Sequence, residues 1–395
     1  MREKHFPPAA PASYGRAVTT VVLAAPPRRG LAPAVAAASG LAAAMGVGRF
    51  VYTPLLPLMV DAQRITAHDG ALIATANYAG YLLGALLLTW RPELGHRTIF
   101  LASAGLLIAS EALMAAPGPI LLLALLRLVA GVASAVIFVA CASFASRPGS
   151  GRQSAGIVFG GIGFGIAWTG LLVLALRPVV SWQTLWLISA ALTAALLIPV
   201  RRIDIRPGPR VPRGAARVLC AWRALFVAYF LEGLGYIVIG TFLVAAVSAE
   251  RGPVTGSAMW IVVGAAAAVS TVLWAGAARR RPPALLLPIA LGAQCVSAVL
   301  PAVSGAIWAA VTAAALFGGT FVGIVMLAMR VGAELTDGAA AAPLTAGYGA
   351  GQILGPVAVA PVLGTSYPAA FVIAAVVLGA ATLTAGVVAA GIRRT

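Results

Sequence analysis

Apolar runs long enough to cross a bilayer, about 17 to 25 residues each, follow one another along almost the whole chain. They fall at about 31–58, 70–90, 97–115, 119–144, 153–176, 182–200, 222–248, 256–277, 283–302, 305–330, 339–362 and 367–391. The polar positions between them are few, so the pattern predicts an all-α integral membrane fold of twelve transmembrane helices. One connection is long. It runs from Arg201 to Cys220, holds Arg201, Arg202, Arg206, Arg210, Arg213 and Arg217, and divides the spans six and six. The expected organisation is a tail at 1–30, a six-helix bundle at 31–200, a basic linker at 201–221 and a second six-helix bundle at 222–395.

The basic residues orient this array, because cytoplasmic loops retain Lys and Arg. The side that carries the N-terminus holds 22 of the 27 basic residues, the other side holds Arg64, Arg177 and Arg251, and Arg49 and Arg127 lie inside spans. Both termini and the linker are therefore expected in the cytoplasm, in a multi-pass protein of a plasma membrane such as the bacterial inner membrane. A miscounted span would scramble the alternation, so the tally also supports twelve. The tail contains one apolar patch, Ala17 to Ala25. It is too short to span, and Pro26, Pro27, Arg28 and Arg29 follow it where a signal peptide would carry small residues. A disordered cytoplasmic tail is the expectation.

Composition agrees with this class. The chain is 61% hydrophobic and 9% charged, with a mean hydropathy of +0.99, whereas soluble chains carry about 25% charged residues. The net charge of +17 is dispersed in short clusters between apolar runs, so no nucleic-acid partner is expected. Cys141, Cys220 and Cys295 stand singly, without disulfide or metal spacing, and no metal or cofactor is expected.

The candidate chemistry lies in the charged and polar groups inside the spans. GVGRFVYTPLLPLM, Gly46 to Met59, puts Arg49 in an apolar run with no other charge before Asp61. An arginine at that depth costs at least ~3 kcal/mol, so it should face a protein-lined interior with a partner or a ligand. Two roles fit: a buried tie between helices, or a ligand-facing group. Gly46 and Gly48 allow close helix approach, Pro54 and Pro57 are expected to interrupt the helix beyond the arginine, and Tyr52 and Thr53 are expected on its face. Glu111 and Arg127 lie on spans joined by a hairpin that allows them to pair directly, either as a structural salt bridge or as a pair that sets the charge balance of the outer half. Glu232 falls near the midplane, about 15 Å along its span, where burial disfavours the charged form and suits a proton carrier; Tyr229 and Tyr236 lie on its face. A permanently protonated, hydrogen-bonded Glu232 is the alternative. Asn77, Tyr81 and Gln352 suit either substrate contact or polar bonding between helices.

The two parts of the chain echo one another. GVGRF at 46–50 aligns with GLGYI at 233–237 at an offset of 187, GIGFG at 161–165 with GYGAG at 347–351 at 186, and Gly131 with Gly318 at 187. Twelve spans split by a basic loop, together with GVGRFVYTPLLPLM, ATANYAGYLLGALL, FLEGLGYIVIGTFL and LTAGYGAGQILGPVAV, resemble the major facilitator superfamily and its YbfB/YjiJ branch, over roughly 31–394. The resemblance implies two bundles around a central cavity and solute transport by alternating access. Arg127, four residues before Gly131, also resembles a pattern associated with proton-coupled members of the superfamily. The superfamily's loop between spans 2 and 3 is here TWRPELGHR, in which Gly95 and Arg97 fit and the acidic position is missing.

The expected function is therefore a secondary transporter, not an enzyme, that moves a small organic solute, with efflux favoured over import. Arg49, Tyr52, Asn77, Tyr81, Tyr236 and Gln352 are the expected substrate-binding residues, Arg49 meeting an anionic part of the solute. Glu232, Glu111 and Arg127 are the expected proton-coupling set, and the working unit is taken as a monomer in the lipid bilayer. A non-transporting sensor on the same fold is the alternative. An intramembrane enzyme fits less well, since His5, His68 and His96 lie outside the deep spans and no hydrolase or metalloprotease motif occurs in them.

Overall fold

A helix satisfies its own backbone, which is what a segment in hydrocarbon requires, and the apolar runs fold accordingly. The structure, a computed structural model, describes residues 31–146, 152–207, 216–363 and 367–393. The expected tail at 1–30 and residues 208–215 of the expected linker lie outside these. The helices are α1 (Ala32–Leu41), α2 (Tyr52–Asp61), α3 (Ala67–Trp90), α4 (Arg97–Leu113), α5 (Ile120–Ser146), α6 (Arg152–Leu176) and α7 (Trp182–Leu197), then α8 (Ala216–Arg251), α9 (Pro253–Arg280), α10 (Pro283–Val303), α11 (Ile307–Leu335), α12 (Ala341–Leu363) and α13 (Tyr367–Arg393).

Ten helical stretches among the described residues are long and apolar enough to cross a membrane, with Ala32–Asp61 taken as one. The other two expected spans, α4 and α12, are helical as well; α4 has 17 residues, about 26 Å of helix. Helix edges exceed the apolar runs because backbone bonding continues into polar residues. The largest extension is in α8, 36 residues long, against the expected 222–248.

Local chemistry sets the starts. Thr66 and Asp69 form a reciprocal cap at α3, with the Asp69 amide donating to Thr66 Oγ1 (3.1 Å) and the Thr66 amide to the Asp69 carboxylate (3.0 Å). Proline opens α9 and α10, where its missing N–H would have no helical partner anyway. Gly252, at φ +88°, turns the chain between α8 and α9 in a conformation that side chains disfavour. Arg97 donates to the carbonyls of Arg201 (3.2 Å) and Ile203 (3.4 Å), tying the TWRPELGHR loop to the start of the linker.

The first span departs from expectation in where it breaks. Its α-helix stops at Leu41, runs through a wide π turn at Ala42–Val47, and is not helical again until Tyr52. Pro54 sits in the first turn of α2 and Pro57 inside it, so the interruption lies before and around Arg49, and the prolines beyond the arginine are not what makes it. Pro54 is accommodated because first-turn amides lack helical acceptors.

Close packing exploits glycine, and it repeats. A Cβ on Gly165 of α6 would lie 2.7 Å from Gly46 Cα in the π turn, and one on Gly351 of α12 would lie 2.8 Å from Leu234 N, beside Gly233 of α8. Gly46 and Gly233, and Gly165 and Gly351, are the pairs that the internal offset matches. Gly131 of α5 likewise meets the α3 backbone at Asn77, and Gly318 of α11 the α9 backbone at Val263. The segment before Arg201 joins the segment after it along α6 against α9 and α3 against α12. Gly163 sits in the first of these seams, where a Cβ would meet the backbone of Ala267.

These contacts predict that Gly46→Leu or Gly163→Leu destabilises the fold by about 3 kcal/mol, since backbone cannot yield as a side chain does. Gly276→Leu should be neutral, because a Cβ there meets nothing within 4 Å. Monodispersity and melting temperature in detergent would check it; equal behaviour of all three variants would contradict this packing.

Candidate functional site

The break in the first span creates the site. Beyond the π turn, Gly48 N–H bonds Ala43 O (2.8 Å) and Phe50 N–H bonds Met45 O (3.1 Å), while Thr53 N–H bonds Phe50 O (3.2 Å) instead of reaching Arg49 O. Backbone carbonyls are left over at the centre of the protein, and α5 supplies their donors. Arg127 donates to Gly48 O (2.7 Å) and Arg49 O (3.0 Å), and Ser134 to Ala44 O (2.9 Å). Asn77 of α3 donates in turn to Arg127 O at 2.9 Å. Arg127 is 1% exposed, and its guanidinium lies 5.3 Å from the Tyr52 ring and 5.7 Å from Trp186.

Arg49 points the other way, into the seam between α3 and α12. Its Nη2 donates to Gln352 Oε1 at 2.5 Å, and its guanidinium carbon lies 4.2 Å from the Tyr81 ring centroid and 5.2 Å from that of Tyr78. Nε and Nη1 have no hydrogen-bond partner among the described residues, although Arg49 is only 3% exposed. Gln352 passes the bond on, its Nε2 donating to the Tyr236 hydroxyl at 3.2 Å. Tyr236 stacks on Tyr348 (5.2 Å), Phe321 (5.7 Å) and Phe317 (5.9 Å), and Tyr348 stacks on Tyr229 at 4.7 Å.

Glu232 is fully buried one helical turn from Tyr236. Gln294 of α10 donates to its Oε1 at 3.4 Å, the Tyr348 hydroxyl faces it, and Oε2 has no partner among the described residues. Tyr348 therefore stacks on the Tyr236 ring and faces the carboxyl, so a line of polar and aromatic side chains runs from Arg49 to Glu232.

Of the expected substrate residues, the fold brings together Arg49, Tyr81, Gln352 and Tyr236. Asn77 is one turn away, engaged with the Arg127 backbone. Tyr52 is elsewhere: its hydroxyl donates to Gly70 O at 3.0 Å, and its ring stands by Arg127 and Trp186. The three-residue spacing from Arg49 to Tyr52 would align them on an unbroken α-helix, but the π turn and the break rotate them apart. Glu111 and Arg127 do not pair either. Arg127 is committed to the two carbonyls of the first span, while Glu111, buried in α4 and facing Thr193 of α7, has no hydrogen-bond partner on either oxygen among the described residues.

Sequence reasoning did not single out Tyr78, Tyr348 or Gln294. Tyr78 and Tyr348 had a signal, since each stands in a glycine-bearing motif beside a chosen residue, NYAGY and GYGAG. Gln294 had only its polarity inside a span.

The centre is closed in this structure. A 370 Å³ cavity lies toward the arginine-rich end, lined among others by Trp90, His96, Ser143, Arg206 and Ala341. At the opposite end a 120 Å³ pocket is lined by Thr53, Asp61, Arg177, Ser248, Ser257 and Trp260.

The family model described as "Uncharacterised MFS-type transporter YbfB" matches residues 41–391. Among solved structures, the human organic anion transporter MFSD10 (TETRAN) is similar in fold, with a TM-score of 0.71, 13% identity, and coverage of 91% of this chain and 100% of that one. No curated protein matches the chain by sequence.

The Arg127 contacts predict a graded loss. Arg127→Met leaves buried carbonyls unsatisfied and should destabilise the protein by roughly 3 kcal/mol, while Arg127→Lys, which keeps the charge but lacks the fork, should fall between. Melting temperatures in detergent would show the order; a methionine variant as stable as the parent would refute the staple.

Proposed function

The chain belongs to the family of the MFS-type transporter YbfB within the major facilitator superfamily, and from that premise we propose that it moves a small organic anion across the membrane by alternating access, coupled to protons. The observation that carries this reading is Arg49, a buried guanidinium with two nitrogens unpartnered and no carboxylate against it among the described residues. A planar fork of donors at a protein centre matches a carboxylate or similar group on a solute. Gln352 occupies the third nitrogen, and an incoming anion would compete with it. Tyr81 and Tyr78 supply aromatic walls of the kind that line small-molecule sites. The anionic substrate is argued from Arg49, since the likeness to MFSD10 is one of fold.

In this reading the twelve helical passages all cross the membrane as two six-helix bundles, 31–200 and 222–395, with both termini and the linker in the cytoplasm. The bundles rock about Arg49, Gln352 and Tyr236, parting α3 from α12 on one side and α6 from α9 on the other. The 370 Å³ cavity at the arginine-rich end is then the vestibule on the cytoplasmic side. Export from a single-chain monomer in a plasma membrane is the favoured direction.

Glu232 serves as the proton carrier. It lies on the same helix as Tyr236 and one aromatic ring from it through Tyr348. No basic side chain hydrogen-bonds it among the described residues, so its charge is not fixed by an ion pair. Taking a proton from one side and losing it to water on the other changes the charge that the centre presents to an anion held at Arg49. Glu111 is the second buried carboxyl and the reserve candidate.

Two variants test this. Arg49→Lys should keep protein abundance and lower uptake or counterflow of organic anions into proteoliposomes at least tenfold, about the worth of 1.4 kcal/mol; normal transport by the lysine variant would reduce Arg49 to a tie between helices. Glu232→Gln keeps size and hydrogen bonding but not the titration, so it should exchange substrate yet fail to accumulate it when only a pH difference is imposed. Accumulation by that variant would move the carrier role to Glu111.

A further inference from the structure

Two grooves on the outer wall of the molecule take no part in the central site. One lies between α4 and α7, with a volume of 470 Å³, a floor that includes Phe100 and Ala104, and Arg97 and Arg201 at its rim. The other lies between α10 and α13, with a volume of 630 Å³, Leu286 and Gly386 within it and Arg281 at its rim. The internal repeat relates them, since the offset of 187 carries Leu101 of the first onto Pro288 of the second. Both open at the end of the molecule where α4 and α10 begin and α7 and α13 finish.

We propose that these grooves are paired binding sites for anionic phospholipid, with the headgroup phosphate on the rim arginines and an acyl chain in the slot below. Their walls are apolar and outward-facing, Leu101 being 49% and Ile289 61% exposed, so in a bilayer a hydrocarbon chain is the occupant that fits. Among the described residues no Asp or Glu lines either groove, so the charge in each lining is arginine's. Basic pockets between transmembrane helices have the charge to hold phosphate headgroups. The first turn of α4, at Arg97, Thr98 and Ile99, adds amides without helical acceptors that favour an anion at the same level. Arg97 has already committed donors to the linker carbonyls, so the direct contacts fall to Arg201 and Arg281, both exposed. A zwitterionic headgroup brings its own cation to a rim that already has one, which is why the charge selects an anionic lipid.

The test is native mass spectrometry and thermal shift on the full chain in detergent, titrated with phosphatidylglycerol, phosphatidylcholine or inorganic phosphate. Phosphatidylglycerol should be retained at up to two per chain and raise the melting temperature by several degrees, while the other two do neither. Arg201→Gln with Arg281→Gln should lower retention at each site about fivefold, the worth of one arginine near an anionic headgroup, without changing the lipid-free melting temperature. Gly386→Leu, where a Cβ meets nothing within 4 Å, should fill the second groove without altering charge and remove one of the two lipids. Equal retention of phosphatidylcholine, stabilisation by phosphate alone, undiminished retention by the arginine double variant, or a dimer in place of bound lipid would each overturn the proposal.

Discussion

In hydrocarbon a backbone carbonyl must find its donor inside the protein, and where the first span unwinds at Gly48 and Arg49 the chain does not supply it locally. Arg127 does, from α5, with one nitrogen to each carbonyl. That staple is the condition for the rest of the centre. It holds open a break in a helix that would otherwise close, and the break turns Arg49 toward α12 while leaving Tyr52 beside Arg127 and Trp186. A charge inside a membrane is costly. Here one arginine is spent on the backbone so that another can face the seam with donors free.

The glycines decide how near the helices come. Gly46 on Gly165 brings α6 onto the broken span, and Gly351 beside Gly233 brings α12 onto α8, so the same close approach is built twice from related sequence. The duplication ends at the polar groups. Arg49 has Tyr236 as its counterpart in the later segment, and Met45 stands where Glu232 does. A shared backbone frame therefore carries a cation in one part and a carboxyl in the other, joined through Gln352, Tyr236 and Tyr348. This asymmetry between related segments gives the centre two ends with different chemistry, a guanidinium at one and a carboxyl at the other.

The aromatic groups between those ends do more than fill space. Tyr236 is held among Tyr348, Phe317 and Phe321 in stacked arrangements, which fix its hydroxyl where Gln352 reaches it. Gln352 is in turn fixed between a guanidinium donor and a phenol acceptor, so its amide orientation is determined by its neighbours. The Arg49 to Gln352 bond thus joins the break in the first span directly to α12.

What the sequence determined by itself follows from hydropathy and from chemistry that does not depend on neighbours. Apolar run length predicted every helical passage that the described residues contain, to within a few residues at most edges. The depth of Arg49 and Glu232 marked both as buried and in need of an account, and glycine at 46 and 48 pointed to a close helix approach that Gly165 makes at Gly46. What only the tertiary structure decided was direction and partnership. Spacing assumes a regular helix, so it placed Tyr52 with Arg49 and assigned the interruption to Pro54 and Pro57 beyond the arginine; a π turn of six residues overturned both. Proximity across a hairpin suggested that Glu111 and Arg127 pair, but the demand for a donor at Gly48 and Arg49 arises from the backbone of another helix, and no side-chain pattern records it. The same holds for Gln294 and Tyr348 beside Glu232: each is one polar residue in an apolar span, and only the packing of α8 against α10 and α12 says which carboxyl it meets.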